Sequence, residues 1–243
     1  MERNIKPFVE LSFMPEELKR SDETVFWWKG NISPPKDIKL WTDLVQEFIK
    51  HCINRYGIKE VESWYFEVWN EPEFEYFFWA GSREEYFEFY KETAIAIKSI
   101  SKNLKVGGPS ITHGTILGNS WLEDFLEFTK KENASLDFLS IHIYPEYISE
   151  ESIDKFHQLL ESGVIPKLIY HGKNHVLNTI NIVNEKAKAI LKSKLEIHIT
   201  EWNASSQLGN LIHDTCYVST YIVRNVLQSI DKVDSLGYWT FTD

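Results

Sequence analysis

Short runs of buried-type residues alternate with amphipathic helical patterns along all 243 residues of this chain, and that alternation constrains the fold most. Strand-like runs fall at Pro7–Leu11, Trp64–Trp69, Lys105–Gly107, Phe138–Ile143, Glu196–Thr200 and Ser235–Phe241. The clearest helical pattern puts Trp41, Leu44, Val45, Phe48, Ile49, Cys52 and Ile53 on one face, at the i, i+3, i+4, i+7 spacing of an amphipathic helix. Gly57 follows it, where a helix end favours glycine. Ser82 and Glu85 have the spacing of a capping box and open a helix expected to reach about Ser101. Further helices are expected at Trp121–Lys131, Val176–Lys192 and Asp214–Ser229. Strand then helix, repeated, predicts an α/β fold with a parallel sheet covered on both faces. No GxGxxG follows the first strand, GxxxxGK[ST] is absent, and Gly107-Gly108-Pro109 reads as a strand-end turn. A (β/α)8 TIM-type barrel is therefore expected rather than a nucleotide-binding sheet. Six strands are visible where such a barrel has eight. Either two strands are too irregular to see or the barrel is partial. No linker, repeat or low-complexity segment divides the chain, so residues 1–243 form one expected domain.

Hydrophobic residues make up 43% of the chain, enough for a large core and against wholesale disorder. A net charge of −10 opposes a nucleic-acid surface, which would be basic, and opposes binding to anionic lipid. A neutral ligand fits this charge best. Cys52 and Cys216 are far apart and form no CxxC pair, so a disulfide is not expected. No apolar run reaches membrane-spanning length and no secretory pattern opens the chain, so a cytoplasmic protein with no membrane partner is expected. Aromatics reach 14%. Most must serve the core, yet sugars carry apolar C–H faces that stack on such rings, which tilts the reading towards carbohydrate.

In a β/α barrel the active site lies at the C-terminal ends of the strands. The second run ends in Asn70-Glu71-Pro72, the fourth in His142-Ile143-Tyr144, the fifth in Glu201-Trp202-Asn203 and the last in Tyr238-Trp239. Pro72 alone would stop a strand, so the polar pair before it needs another reason to be there. Two strand-terminal glutamates facing each other across one mouth, about 5 Å apart, are the equipment for retaining glycoside hydrolysis. A shared pocket keeps one protonated and the other ionised.

The segments WYFEVWNEP, EYFEFYKETAIAIKSI, LKVGGPSI, DFLSIHIYP, IHITEWN, HDT and VDSLGYWTFTD, in this order, resemble glycoside hydrolase family 39, which contains β-xylosidases and belongs to the clan of retaining (β/α)8 hydrolases. The resemblance covers nearly the whole chain. It implies that Glu71 is the acid/base and Glu201 the nucleophile. It implies further that Asn70 bonds the sugar 2-hydroxyl, that His142 and Tyr144 stand beside the nucleophile, and that Trp239 walls the sugar pocket. The first run here resembles the family's third strand, so strands three to eight are expected and the first two are not. That leaves strand edges open, and self-association through such an edge is expected. ITEW also departs from the commoner ITEY, and the aromatic that often follows is missing from NASSQ. The same barrel resembles domains fused to AraC-like transcriptional regulators. The alternative function is therefore a sugar-binding, weakly active or inactive barrel of a larger regulatory protein, itself without a DNA-binding element. No cofactor and no metal is implied, because the chemistry needs only water and two carboxylates.

Each sharp reading has a plainer rival. Glu71 and Glu201 could each belong to a structural ion pair inside the barrel, and His142 could be a satisfied core histidine. Glu67 shares the strand parity of Glu71 and reads as a buried support with an unnamed cationic partner. Trp27 and Trp28 could line an outer sugar subsite or only pack a loop. His171 and His175 have metal-like spacing, but no carboxylate or third histidine is near in sequence, which disfavours zinc.

Overall fold

The structure is a computed structural model that describes residues 5–148, 168–207 and 209–240. In chain order the elements are β1 (Phe8–Leu11), the hairpin β2 (Thr24–Val25) and β3 (Gly30–Asn31), α1 (Ile38–Tyr56), α2 (Ile58–Val61), β4 (Tyr65–Val68), α3 (Arg83–Ile100) and β5 (Lys105–Thr112). Then come α4 (His113–Gly118), α5 (Trp121–Lys131), β6 (Phe138–Ile143), the hairpin strands β7 (Glu146–Ile148) and β8 (Leu168–Tyr170), α6 (His175–Leu191), β9 (Glu196–Trp202), a 3-10 turn (Leu211–Asp214), α7 (Cys216–Ser229) and β10 (Ser235–Tyr238). Six strands pair in the order β1-β4-β5-β6-β9-β10, every pair parallel. The result is a curled half-barrel with helices outside.

The local signals act as chemistry requires. Asp37 caps α1 by accepting from Lys39 N at 2.8 Å, and Gly57 closes that helix at φ 86°. Ser82 and Glu85 bond reciprocally in the capping box. Trp41, Val45, Ile49 and Cys52 of α1 are buried, whereas Leu44 and Phe48 of the expected stripe stay exposed, and Trp41 Nε1 donates to Thr93 Oγ1 of α3 at 2.9 Å. Cys52 lies in this layer, and Cys216 is exposed and also free.

One expectation needs correction. Gly107-Gly108-Pro109 is not a strand end, because β5 runs on to Thr112. The register slips by one residue between Pro109 and Ile111, a bulge, and a bulge is where a strand tolerates proline. Gly107 is there for contact. A Cβ on it would stand 2.3 Å from the Phe138 carbonyl oxygen and 2.6 Å from the Phe138 ring. Gly107→Ala is therefore expected to destabilise the fold by about 3 kcal/mol, the upper part of the overpacking range. A thermal midpoint unchanged within error would refute that reading of the contact.

Alternate residues of each strand face the barrel interior. The lowest layer joins Tyr65, Lys105 and Glu196: Lys105 Nζ lies 2.9 Å from Glu196 Oε1, and Tyr65 Oη donates to Glu196 Oε2 at 2.7 Å. Phe8 stacks on Tyr65 at 5.0 Å, and the His198 and Phe138 rings meet it edge-on. This plug fixes which residues face inward further up.

Candidate active site

Strand β4 delivers Glu71 by breaking its own regularity. Tyr65 and Glu67 point inward, yet Trp69 adopts φ 73° and Glu71 φ 44°. Left-handed backbone is uncommon for bulky residues and costs on the order of 1–3 kcal/mol per residue. The first of these turns sends Trp69 to the helix side, where it meets Trp79 at 5.1 Å and Phe89 at 5.7 Å. Its Nε1 donates to the Phe78 carbonyl at 2.7 Å. Asn70 and Glu71 are left at the mouth, both buried, and Asn70 Oδ1 has no hydrogen-bond partner among the described residues. The polar pair ahead of Pro72 is thus placed at the strand end, at a conformational cost.

Strand β9 delivers Glu201 through a bulge. Ile199 pairs with Ile141, but His142 pairs with Glu201, so Thr200 is the extra residue. Without that insertion the inward series Glu196, His198, Thr200 would turn Glu201 outward. Bulges near active sites commonly re-aim a side chain in this way.

The two glutamates converge on one histidine. His142 Nδ1 lies 2.8 Å from Glu71 Oε1 and 3.6 Å from Glu201 Oε2. Tyr144 Oη donates to Glu201 Oε2 at 2.8 Å. One oxygen of each glutamate and a ring nitrogen of His142 all lie within 4.8 Å of one another. Burial pulls the His142 pKa down, but the charge of Glu201 and the bond to Glu71 outweigh it and push it up to about 10. The two carboxylates thus favour the imidazolium form of His142. Burial raises the Glu71 carboxyl above the usual range, the nearby Glu201 charge adds to the rise, and the bond to His142 opposes it. The three donor groups could in principle hold a cation, but a bound proton on His142 competes with one.

Glu67 lies below this level, fully buried. Burial raises its pKa, while the charge of His142 and the hydroxyls of Ser110, Ser140 and Thr200 act in the opposite direction. Among the influences on Glu67, the favourable charge is that of His142, whose ion-pair contacts are with Glu71 and Glu201. The sequence suggests that the acidic run Glu71–Glu75 is a solvated face, and Glu73 corrects that reading, because its carboxyl is buried. Its carboxyl accepts from Thr112 N at 2.6 Å, and burial with the Glu71 charge pushes it up to about 8. Trp239 lies at the end of β10, 42% exposed, its N–H bonded to the Trp202 carbonyl at 3.1 Å. The departure at Trp202 is structural, since its ring stacks on Tyr221 at 5.9 Å and meets Tyr238 edge-on at 5.7 Å.

Folding supplies His171 and His175 with a third histidine, His113, from the start of α4. The ring of His113 lies 4.9 Å from that of His171 and 6.3 Å from that of His175. The metal-type donor atoms that converge within 4.8 Å among the described residues are nevertheless those of Glu71, His142 and Glu201. Burial lowers the pKa of His113 to about 3 and of His175 to about 4. Both stay neutral in the fold while the unfolded chain takes up protons below about pH 6.5, so their contribution falls as pH falls. Neither ring nitrogen of His113 has a hydrogen-bond partner among the described residues. His113→Leu is therefore expected to recover about 2 kcal/mol at pH 5 relative to its effect at pH 7.5. Equal shifts in thermal midpoint at the two pH values would show that His113 is not held neutral.

Two strand-terminal glutamates thus meet one histidine at the mouth of a β/α half-barrel. The chain belongs to Glycosyl hydrolases family 39, whose sequence profile matches residues 1–243. It is 39% identical over 241 residues to the β-xylosidase of Geobacillus stearothermophilus, covering 99% of this chain and 46% of that protein. Against the β-xylosidase of Caldicellulosiruptor saccharolyticus the identity is 37% over 246 residues, covering 100% and 46%. The crystal structure of a monomeric β-xylosidase from Caulobacter crescentus superposes with a TM-score of 0.83 at 35% identity, covering 98% of this chain and 45% of that one. The chain thus spans just under half the length of these relatives.

Proposed function

We propose that this protein is a retaining, exo-acting glycosidase of β-xylosidase type that works by double displacement. The observation that carries the reading is the approach of Glu71 and Glu201 oxygens to within 4.8 Å across a buried His142 whose imidazolium form they favour. Retaining enzymes hold their carboxyl groups about 5–5.5 Å apart, whereas inverting ones need about 6.5–9.5 Å to admit a water. Tyr144 fixes Glu201 Oε2, which leaves Oε1 to attack the anomeric carbon. His142 fixes Glu71 Oε1, which assigns the transferable proton to Oε2. In the first step Glu201 forms a bond to the anomeric carbon as the glycosidic bond breaks, and Glu71 protonates the departing oxygen. In the second step Glu71 takes a proton from water, which displaces Glu201. Asn70, with its buried Oδ1 unpartnered, is assigned to a sugar hydroxyl.

The test is hydrolysis of an aryl β-xyloside followed by proton NMR. β-Xylose appearing first supports the proposal, and α-xylose appearing first overturns it. Saccharide binding without turnover would favour the sugar-binding alternative instead.

Self-association is the second element of the proposal. Among the described residues β1 and β10 are paired on one side only, and Val223 and Leu227 of α7, with Ile230 just after it, are exposed. An open edge beside an apolar helix face invites another chain. A dimer or larger assembly is expected in light scattering, and a monodisperse monomer would remove this element.

A further inference from the structure

The bulge that turns Glu201 inward is met from both sides of β9. On the β6 side Ile141 and His142 are consecutive, while their partners Ile199 and Glu201 are not. On the β10 side Leu236 pairs with Ile199 and Tyr238 with Trp202. One residue, Gly237, therefore stands opposite two, Thr200 and Glu201. A Cβ on Gly237 would lie 2.6 Å from the Thr200 carbonyl oxygen, and glycine within a strand commonly marks such a close backbone approach.

A bulge interrupts the ladder at the residues inside it, so the aim of Glu201 depends on where regular pairing resumes. It resumes at Trp202, and the next side chain, Asn203, ties the two strand ends together there. Asn203 Oδ1 accepts from Tyr238 Oη at 2.9 Å and from Ala204 N at 2.6 Å, while its Nδ2 donates to the Trp239 carbonyl at 2.6 Å. Trp239 N in turn donates to the Trp202 carbonyl at 3.1 Å. Asn203 is 3% exposed, so its carboxamide is screened from water and its bonds are costly to break. Among the described residues β10 has β9 as its one sheet neighbour. The Asn203 tie is thus a principal link between the end of β10 and the strand that carries Glu201.

We infer that Asn203 is a positioning residue for Glu201: its buried carboxamide clamps β9 to β10 just past the bulge and so fixes the direction in which the Glu201 carboxylate points. The consequence for catalysis rests on the glycosidase reading, and the geometry rests on the strand register alone. Two residues separate Asn203 from Glu201, so Asn203 touches no reacting atom in this role. It acts by keeping the extra residue of β9 from relaxing back into a regular ladder, which would turn Glu201 away from His142 and Tyr144.

The test looks for changes that lost stability alone would not give. In Asn203→Ala, kcat on an aryl β-xyloside is expected to fall by about tenfold to a hundredfold, as misplacement of a reacting group by about 1 Å can do. KM is expected to stay within about twofold, the mark of an interaction felt in the transition state and not in binding. A second readout needs no turnover. The Glu201 charge helps hold the proton on His142, so a Glu201 that swings away lowers the pH at which the His142 ring titrates in NMR, by about one unit. Tyr238→Phe, at a ring 41% exposed, removes one of the three bonds. It is expected to move both readouts the same way by less, and it serves if Asn203→Ala does not fold. Thr93→Val removes the bond to Trp41 between α1 and α3 and is the control for lost stability. An unchanged His142 titration in both Asn203→Ala and Tyr238→Phe overturns the positioning role. So does a matching change in Thr93→Val, or a raised KM at constant kcat. A parent chain without turnover would count against the glycosidase reading, while the titration still decides the role of Asn203.

Discussion

Glu201→Ala is expected to abolish turnover of aryl xylosides and xylobiose alike. Without the carboxylate no glycosyl-enzyme bond can form, and no leaving group is good enough to compensate. The substitution also removes one of the three carboxylate charges that favour a protonated His142, those of Glu201, Glu71 and Glu67, so the His142 pKa is expected to fall in the variant. Azide makes the result diagnostic. A small anion entering the space left by Glu201 attacks from the nucleophile's face, opposite the leaving group, and yields the α-xylosyl azide. Recovery of a β-azide, or wild-type turnover in the variant, would remove Glu201 from the nucleophile role.

Glu71→Ala has the second largest expected effect, and it depends on the leaving group. General acid catalysis is worth about 10²–10⁴-fold, so xylobiose hydrolysis is expected to drop by that amount. An aryl group with an acidic phenol leaves without help, so the first step on that substrate is expected to slow far less. The second step then limits, because no base activates water. Azide needs no base, attacks from the face the leaving group vacated, and yields the β-xylosyl azide. Equal losses on both substrates, with no response to azide, would indicate that Glu71 only supports His142. Burial of Glu71 makes that test necessary, because a structural carboxyl paired with an imidazolium would show the same static contact.

Much of this arrangement was legible in the residues. Periodicity located every strand of the main sheet and five of its helices, because side chains that alternate at two or at about 3.6 positions have only one way to share a core. The glutamates stood out because a carboxylate beside a proline at the end of a buried strand has no structural need to be there. Boundaries governed by local chemistry were legible too, as with Gly57 and the Ser82–Glu85 box. What pattern could not supply was any feature that breaks the pattern. Gly107-Gly108-Pro109 looked like a stop, yet β5 continues through it, with a bulge after Pro109 and with Phe138 of the neighbouring strand filling the space above Gly107. Glu201 lies on the wrong parity for the barrel interior until one inserted residue in β9 turns it inward, and that insertion exists only in the register with β6. The charge on His142 depends on carboxylates that lie far from it in the chain. His113 joins His171 and His175 only once α4 packs beside α6. Hydrophobic periodicity is a one-dimensional property, and so it specifies elements. Bulges, buried charge and the company a histidine keeps depend on which distant atoms share a few ångströms of low-dielectric space, and only the folded chain decides that.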